Sequence, residues 1–297
     1  MSLPLLSELI ELRGLAQPLT LRARRPARAA SLGQHVSRQR GRGLELQEVR
    51  AYVPGDDPRN IDWRVTARRG RPHTKLFREE RERPVWIVAD LQPGAFFGTR
   101  RQLKSAAIVR AAALLAWIAA LGGDRVGGLI SIGTECRVFA PRSREAGVLP
   151  FLGALEALQP RAPALPVAQS LSRALALLVP LARPGCLILV LSDFAGLEAS
   201  IDPAWWALAR VGELRLFRIT DALEERTLPD GRYRGGLPGA LRVLDGARVR
   251  ARWRAAWRER ESRIAALASC SATPVVRLDT AESVERTLAL LLQGRNA

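Results

Sequence analysis

The chain has 297 residues, 47% of them hydrophobic, enough for one large α/β domain with a smaller addition and a sizeable core. Its formal net charge of +17 would favour nucleic acid, yet 44 of the 46 basic residues are arginine and aromatics are only 5%. Compositional bias therefore explains the charge as well as phosphate contact does, and no basic stretch carries the interleaved aromatics of a base-stacking surface. Three widely separated cysteines, and histidines only at 35 and 73, argue against a disulfide framework, a zinc site and histidine-dependent catalysis.

Residues 1–43 begin with a short amphipathic helix candidate, interrupted by Glu8 and Glu11, and continue into an acid-free, arginine-rich stretch that reads as peripheral. The start lacks the pattern of a secretory leader, and the apolar runs at 111–123 and 187–192 fall short of the roughly 20 residues of a membrane span. No membrane span and a cytoplasmic location are the expectation.

Residues 44–83 read as a small β-rich addition in which strand-like pieces flank the turn PGDDPRN. Within VPGDDPRNIDWRVTAR, the residues Asp56, Asp57, Arg59, Asp62, Arg64 and Arg68 crowd both signs of charge together. Such density suits a network of charge-assisted hydrogen bonds that fastens the addition to the main domain, with Trp63 packed beneath. The same residues could instead form a partner-binding surface; the structural role is preferred, because ion-pair networks hold loops more often than they act on ligands. In the following HTKLFRE, alternation predicts a strand. His73 reads as structural, and Lys75 as a solvated or ion-paired side chain rather than a catalytic one.

From 84 to 297, apolar strands alternate with helices, the signature of a doubly wound, mostly parallel sheet. Strands are predicted at 84–91, 125–132, 135–140, 186–194, 213–220 and 273–279, with helices near 101–121, 144–158, 167–181, 203–210, 248–268 and 281–293. The GTE turn at 133–135 predicts an antiparallel edge hairpin. Ligands bind such sheets beyond the carboxyl ends of the strands, where strand order reverses. Asp90 and Asp193 end two strands at that rim, where each would face one crevice or cap the next helix. The GDRVGG run at 123–128 precedes a strand, whereas a phosphate cradle precedes a helix. Trp253 and Trp257, four apart, share one helical face and predict core packing beneath a basic outer surface.

The segment GRGLELQEVRAYVPGDDPRNIDWRVTARRGRPHTKLFREERE, with GDRVGGLISIG further on, resembles the bacterial domain of unknown function 58 family in its short soluble form, over roughly residues 33 to 195. The most specific part is the GDDPRxIDW core followed by AR, HTK and REE. The resemblance implies a von Willebrand factor A-like domain with an N-terminal addition, and an accessory role beside MoxR-type AAA+ ATPases in assembly or maturation of other proteins. Domains of that kind bind Mg²⁺ through a D-x-S-x-S loop, a threonine and a second aspartate. Here the loop reads Asp90-Leu91-Gln92-Pro93-Gly94, Asp193 matches the second aspartate, and Ser170 or Ser172 stands nearest the threonine position. Two carboxylates and one hydroxyl remain, with the Gln92 carbonyl and water to complete a weak Mg²⁺ site. No cofactor and no catalytic residue are assigned.

The resulting expectation is a non-enzymatic interaction module for a protein partner, a MoxR-type ATPase or its client. Two alternatives stand beside it: a nucleic-acid binder using the arginines of residues 22–42, and a metal-dependent hydrolase at Asp90 and Asp193, for which the sequence offers no general base.

Overall fold

The computed structural model describes residues 2–21, 44–79, 82–164, 169–197, 203–236 and 239–293. The arginine-rich stretch lies outside the described residues. The chain divides into two compact units, residues 29–82 and residues 1–28 together with 83–297. The opening helix α1 (Leu6–Ala16) thus belongs to the larger unit, rather than standing with the arginine-rich stretch as a separate segment.

In the smaller unit, β1 (Leu44–Ala51) pairs antiparallel with β2 (His73–Glu79), as the alternation predicts. Between them the chain forms a helix, α2 (Trp63–Arg69), where the sequence reading placed strand-like pieces. The signals for it were local. Asp62 accepts hydrogen bonds from the backbone N–H groups of Arg64 (3.0 Å) and Val65 (3.1 Å), and Gly70 at φ 67 ends the helix in the left-handed conformation.

The larger unit holds β3 (Pro84–Asp90), α3 (Lys104–Leu121), β4 (Arg125–Ile132), β5 (Glu135–Ser143), α4 (Glu145–Ala157), α5 (Ser170–Leu178), β6 (Leu187–Ser192), α6 (Pro203–Val211) and β7 (Glu213–Thr220). It continues with α7 (Ala222–Arg226), β8 (Arg232–Gly235), β9 (Arg242–Asp245), α8 (Gly246–Cys270), β10 (Val275–Asp279) and α9 (Val284–Gln293). Six strands form one sheet in the order β10-β7-β6-β3-β4-β5, parallel throughout except for the antiparallel edge strand β5. β8 and β9 form a separate antiparallel pair that the sequence reading did not anticipate.

Helices cover both faces of the sheet, so its central strands are buried on both sides and read as continuous apolar runs. Val85, Ile87 and Ala89 face a core shared with α1, α3, α4 and α9, while Trp86 and Val88 face a second core shared with α5, α6 and α8. α3 is buried from Lys104 to Ala119 apart from Arg110. It is long and apolar enough to cross a membrane by composition, but its apolar surface lies mostly inside the protein. α1 seals its far side: the Trp117 indole N–H donates to the Leu9 carbonyl at 3.0 Å, and Arg110 pairs with Glu8 at 3.0 Å. On β4, Gly128 is dictated by packing, since a Cβ there would sit 2.2 Å from the Phe151 ring.

β3 lies at the centre, with β4 and β6 on its two sides. The strand order reverses at this point, so the crevice beyond the carboxyl ends of β3 and β6 is where a ligand site belongs in such a sheet.

Candidate functional site

Asp90 and Asp193 both reach this rim, as their strand-end positions predicted. Asp90 ends β3 with 5% exposure, and its carboxylate accepts a 2.6 Å hydrogen bond from the Ser192 hydroxyl at the end of β6. Burial pushes the Asp90 carboxyl up to about 7; the Ser192 bond opposes that rise and the neighbouring Asp193 charge adds to it. Asp193 follows β6 in a tight turn, where Phe194 is held at φ 54 and the Asp193 carboxylate accepts from the Ala195 N–H at 2.9 Å. Left-handed backbone at a buried phenylalanine is strained, and such strain concentrates at turns that present functional groups.

The other oxygen of Asp193 is taken by a residue the sequence reading passed over. Lys104, the first residue of α3 and 3% exposed, donates from Nζ to Asp193 Oδ2 at 2.6 Å and to Glu224 Oε1 at 3.0 Å. Its ammonium also lies 5.5 Å from the centre of the Phe97 ring. Glu224 is held in turn: it closes a capping box with Asp221 at the start of α7, and Arg260 of α8 approaches it at 3.4 Å. Burial alone would raise the Asp193 carboxyl and lower the lysine. The paired charges outweigh it, holding Asp193 below the usual carboxylate range and Lys104 above the usual lysine range.

Two signals in the sequence pointed here. Lys104 is one of only two lysines among 46 basic residues, and the DALE run from Asp221 to Glu224 is a capping box. Neither locates the other, because 120 positions separate Lys104 from Glu224 and only the sheet order joins them.

The residues present do not fit a Mg²⁺ site. Gln92 donates from its amide nitrogen to Ser131 Oγ at 3.3 Å, and Ser131 in turn donates to the main-chain oxygen of Ser170 at 3.4 Å. Ser170 therefore joins this network through its carbonyl. Gly94 has no side chain to offer, and Asp193 is committed to an ammonium. Hard divalent ions need several oxygen ligands carrying net negative charge, and the described residues place no group of three or more acidic, histidine or cysteine side chains together.

Above the rim opens a cleft of about 530 Å³. Phe97, Lys104, Asp193 and Glu224 line one side, and α8 with β9 supplies Leu244, Val249, Arg252, Trp253, Trp257 and Arg260 on the other. Asp245 caps α8, accepting from the Ala247 and Arg248 N–H groups at 3.0 and 3.2 Å. The four-residue spacing does put Trp253 and Trp257 on one face, but that face lines the cleft, so both tryptophans are half-buried cleft walls and not core. Each is fixed in place. The Trp253 indole N–H donates to the Glu224 carbonyl at 3.0 Å, and Trp257 is flanked by the guanidinium groups of Arg218 at 4.5 Å and Arg277 at 5.9 Å.

In the smaller unit the charged block holds itself together. Asp56 pairs with Arg50 at 2.8 Å and accepts from the Val53 N–H at 3.0 Å; that backbone bond and the arginine keep its carboxyl below the usual range. Asp57 accepts from the Arg59 N–H at 2.9 Å, and Asp62, besides capping α2, lies 3.5 Å from Lys75. His73 is buried with Nδ1 at 2.7 Å from the Arg71 carbonyl, while Arg59, Arg64 and Arg68 are exposed. Trp63 is not packed beneath the block: at 70% exposure it stands in solvent on the first turn of α2.

The family described as Protein of unknown function DUF58 matches residues 48–263. Uncharacterized proteins of Mycobacterium tuberculosis and Mycobacterium bovis are each 36% identical over 165 residues, covering 55% of this chain and 51% of theirs, so the chain spans about half the length of these relatives. Among solved structures, conserved hypothetical protein BatB from Bacteroides thetaiotaomicron aligns with TM-score 0.49 and 14% identity, over 72% of this chain and 98% of that one. An aerotolerance-related membrane protein from Bacteroides fragilis aligns with TM-score 0.44 and 14% identity, over 71% and 99%.

Proposed function

The chain belongs to the DUF58 family of proteins of unknown function, and from that premise we propose that it is a protein-interaction module with a von Willebrand factor A-like domain, acting as an adaptor without chemistry of its own. The observation that carries this reading is the cleft at the carboxyl rim, with its aromatic and aliphatic walls and exposed Arg252 at its mouth. Of the ionisable groups beneath, Lys104 is paired with Asp193 and Glu224, and one oxygen of Asp90 accepts from Ser192. A surface of this kind binds by burying apolar area and matching charge, and tryptophan and arginine are the residues that dominate such interfaces. The complementary ligand is a protein segment with an apolar anchor and acidic flanks.

The partner that the family resemblance suggests is a MoxR-type AAA+ ATPase in the cytoplasm, or that ATPase's client. The test is affinity capture from the native host with the ATPase trapped in its nucleotide-bound form, comparing the wild type with Arg252→Glu. Recovery of an AAA+ protein or its client by the wild type alone is the expected result. Recovery of neither, under trapping conditions, refutes the partner.

A further inference from the structure

Lys104 occupies a position that ordinary folding economy disfavours. It is the first residue of a helix, where the N-terminal end of the dipole repels a cation, and it leads a helix that is otherwise almost wholly apolar. Its ammonium is 3% exposed, so removing it from water carries a penalty of several kcal/mol that only close, well-oriented carboxylates offset. The chain supplies two of them from distant elements, Asp193 after β6 and Glu224 in α7, both within 3.0 Å of Nζ. The choice of side chain also matters. Where 44 of the 46 basic residues are arginine, this one is lysine, a compact point charge whose donors diverge toward separate acceptors, whereas arginine presents a planar fork.

We propose that the Lys104 ammonium is the resident cation of this rim, held by Asp193 and Glu224 in the place a divalent ion would need, so that the cleft above it engages its ligand without metal. The assignment of the cation stands on the rim alone; its consequence for ligand binding rests on the interaction reading above. The fixed ammonium, together with Arg260 at 3.4 Å from Glu224, balances the two carboxylates at the floor of the cleft. It leaves no open coordination position for a ligand carboxylate, so recognition falls to the tryptophans and to Arg252.

The test uses Mn²⁺ as probe, with uptake read by electron paramagnetic resonance and melting temperature read with and without EDTA. The wild type should take up no Mn²⁺ at millimolar concentration and should melt at the same temperature in either buffer. Lys104→Ser opens the place of the ammonium and leaves two carboxylates facing each other. It should melt lower in EDTA by on the order of 10 °C, take up Mn²⁺, and recover part of the loss when the ion is added. Adding Asp193→Asn and Glu224→Gln to that variant should abolish the uptake. The proposal is overturned if the wild type takes up Mn²⁺ stoichiometrically, or if folded Lys104→Ser takes up none. Should Lys104→Ser fail to fold, the wild-type titration decides alone. No partner enters these assays, so their failure and a failure of partner capture are separate results.

Discussion

Replacing Asp90 with asparagine should change how stability depends on pH. The buried carboxyl titrates at about 7 in the folded protein against an ordinary value of 3.8, so between those values the folded state keeps a proton that the unfolded chain has released. Stability therefore falls as pH rises through that window and levels off above about 7. One unit of separation is worth about 1.4 kcal/mol, which makes the whole effect on the order of 4 kcal/mol, with about 3 kcal/mol of it between pH 5 and pH 8. An asparagine side chain cannot ionise, yet its carbonyl still accepts the bond that Ser192 donates to Asp90 Oδ2. Asp193 contributes with the opposite sign, because its lowered value makes its stabilisation disappear only as pH falls through the acidic range. That contribution is common to both proteins and cancels in the comparison. Urea unfolding followed by circular dichroism at pH 5, 6, 7 and 8 should show Asp90→Asn gaining on the wild type by about 3 kcal/mol across the series. Parallel stability curves for the two proteins would refute the reasoning and place an ionised Asp90 at this rim.

Gly128→Ala should cost about 2 kcal/mol and lower the melting temperature by roughly 5 °C, because the added methyl meets the Phe151 ring at 2.2 Å; calorimetry checks it, and an unchanged melting temperature contradicts the packing described. Trp257→Ala should weaken ligand binding about 30-fold, the scale of a buried aromatic anchor, in a titration run beside a melting control for its contacts with Arg218 and Arg277. Arg252→Glu, at an exposed position, should weaken acidic-ligand binding about tenfold with no change in melting temperature, and raising salt should weaken the wild type in the same direction.

The sheet was legible because its strands are buried on both faces. PVWIVAD and LILVLS can only be interior strands in such a layout, and the helices between them have lengths and spacing that forbid a meander. Asp90 and Asp193 were legible for the same reason, as polar residues ending apolar runs. What escaped was set by contacts remote in sequence. Lys104 looks like the polar start of an apolar helix until β6 and α7 bring Asp193 and Glu224 to it. The tryptophans of α8 read as core because periodicity reports a shared face and not what that face meets; here it meets the cleft. α2 was missed although its cap and closing glycine were in view, because the adjoining PGDD turn dominates the local composition.

The central claim is that the cleft is the surface through which this protein binds another. Its most direct test is photocross-linking in the native host from a benzoyl-phenylalanine placed at Val249 in the cleft, with one at exposed Leu181 as control. The account predicts a specific protein adduct from position 249, identified by mass spectrometry as an AAA+ ATPase or its client, absent from position 181 and lost with Arg252→Glu. Cross-links from 249 that are indistinguishable from those at 181, or that carry nucleic acid in place of protein, would contradict it.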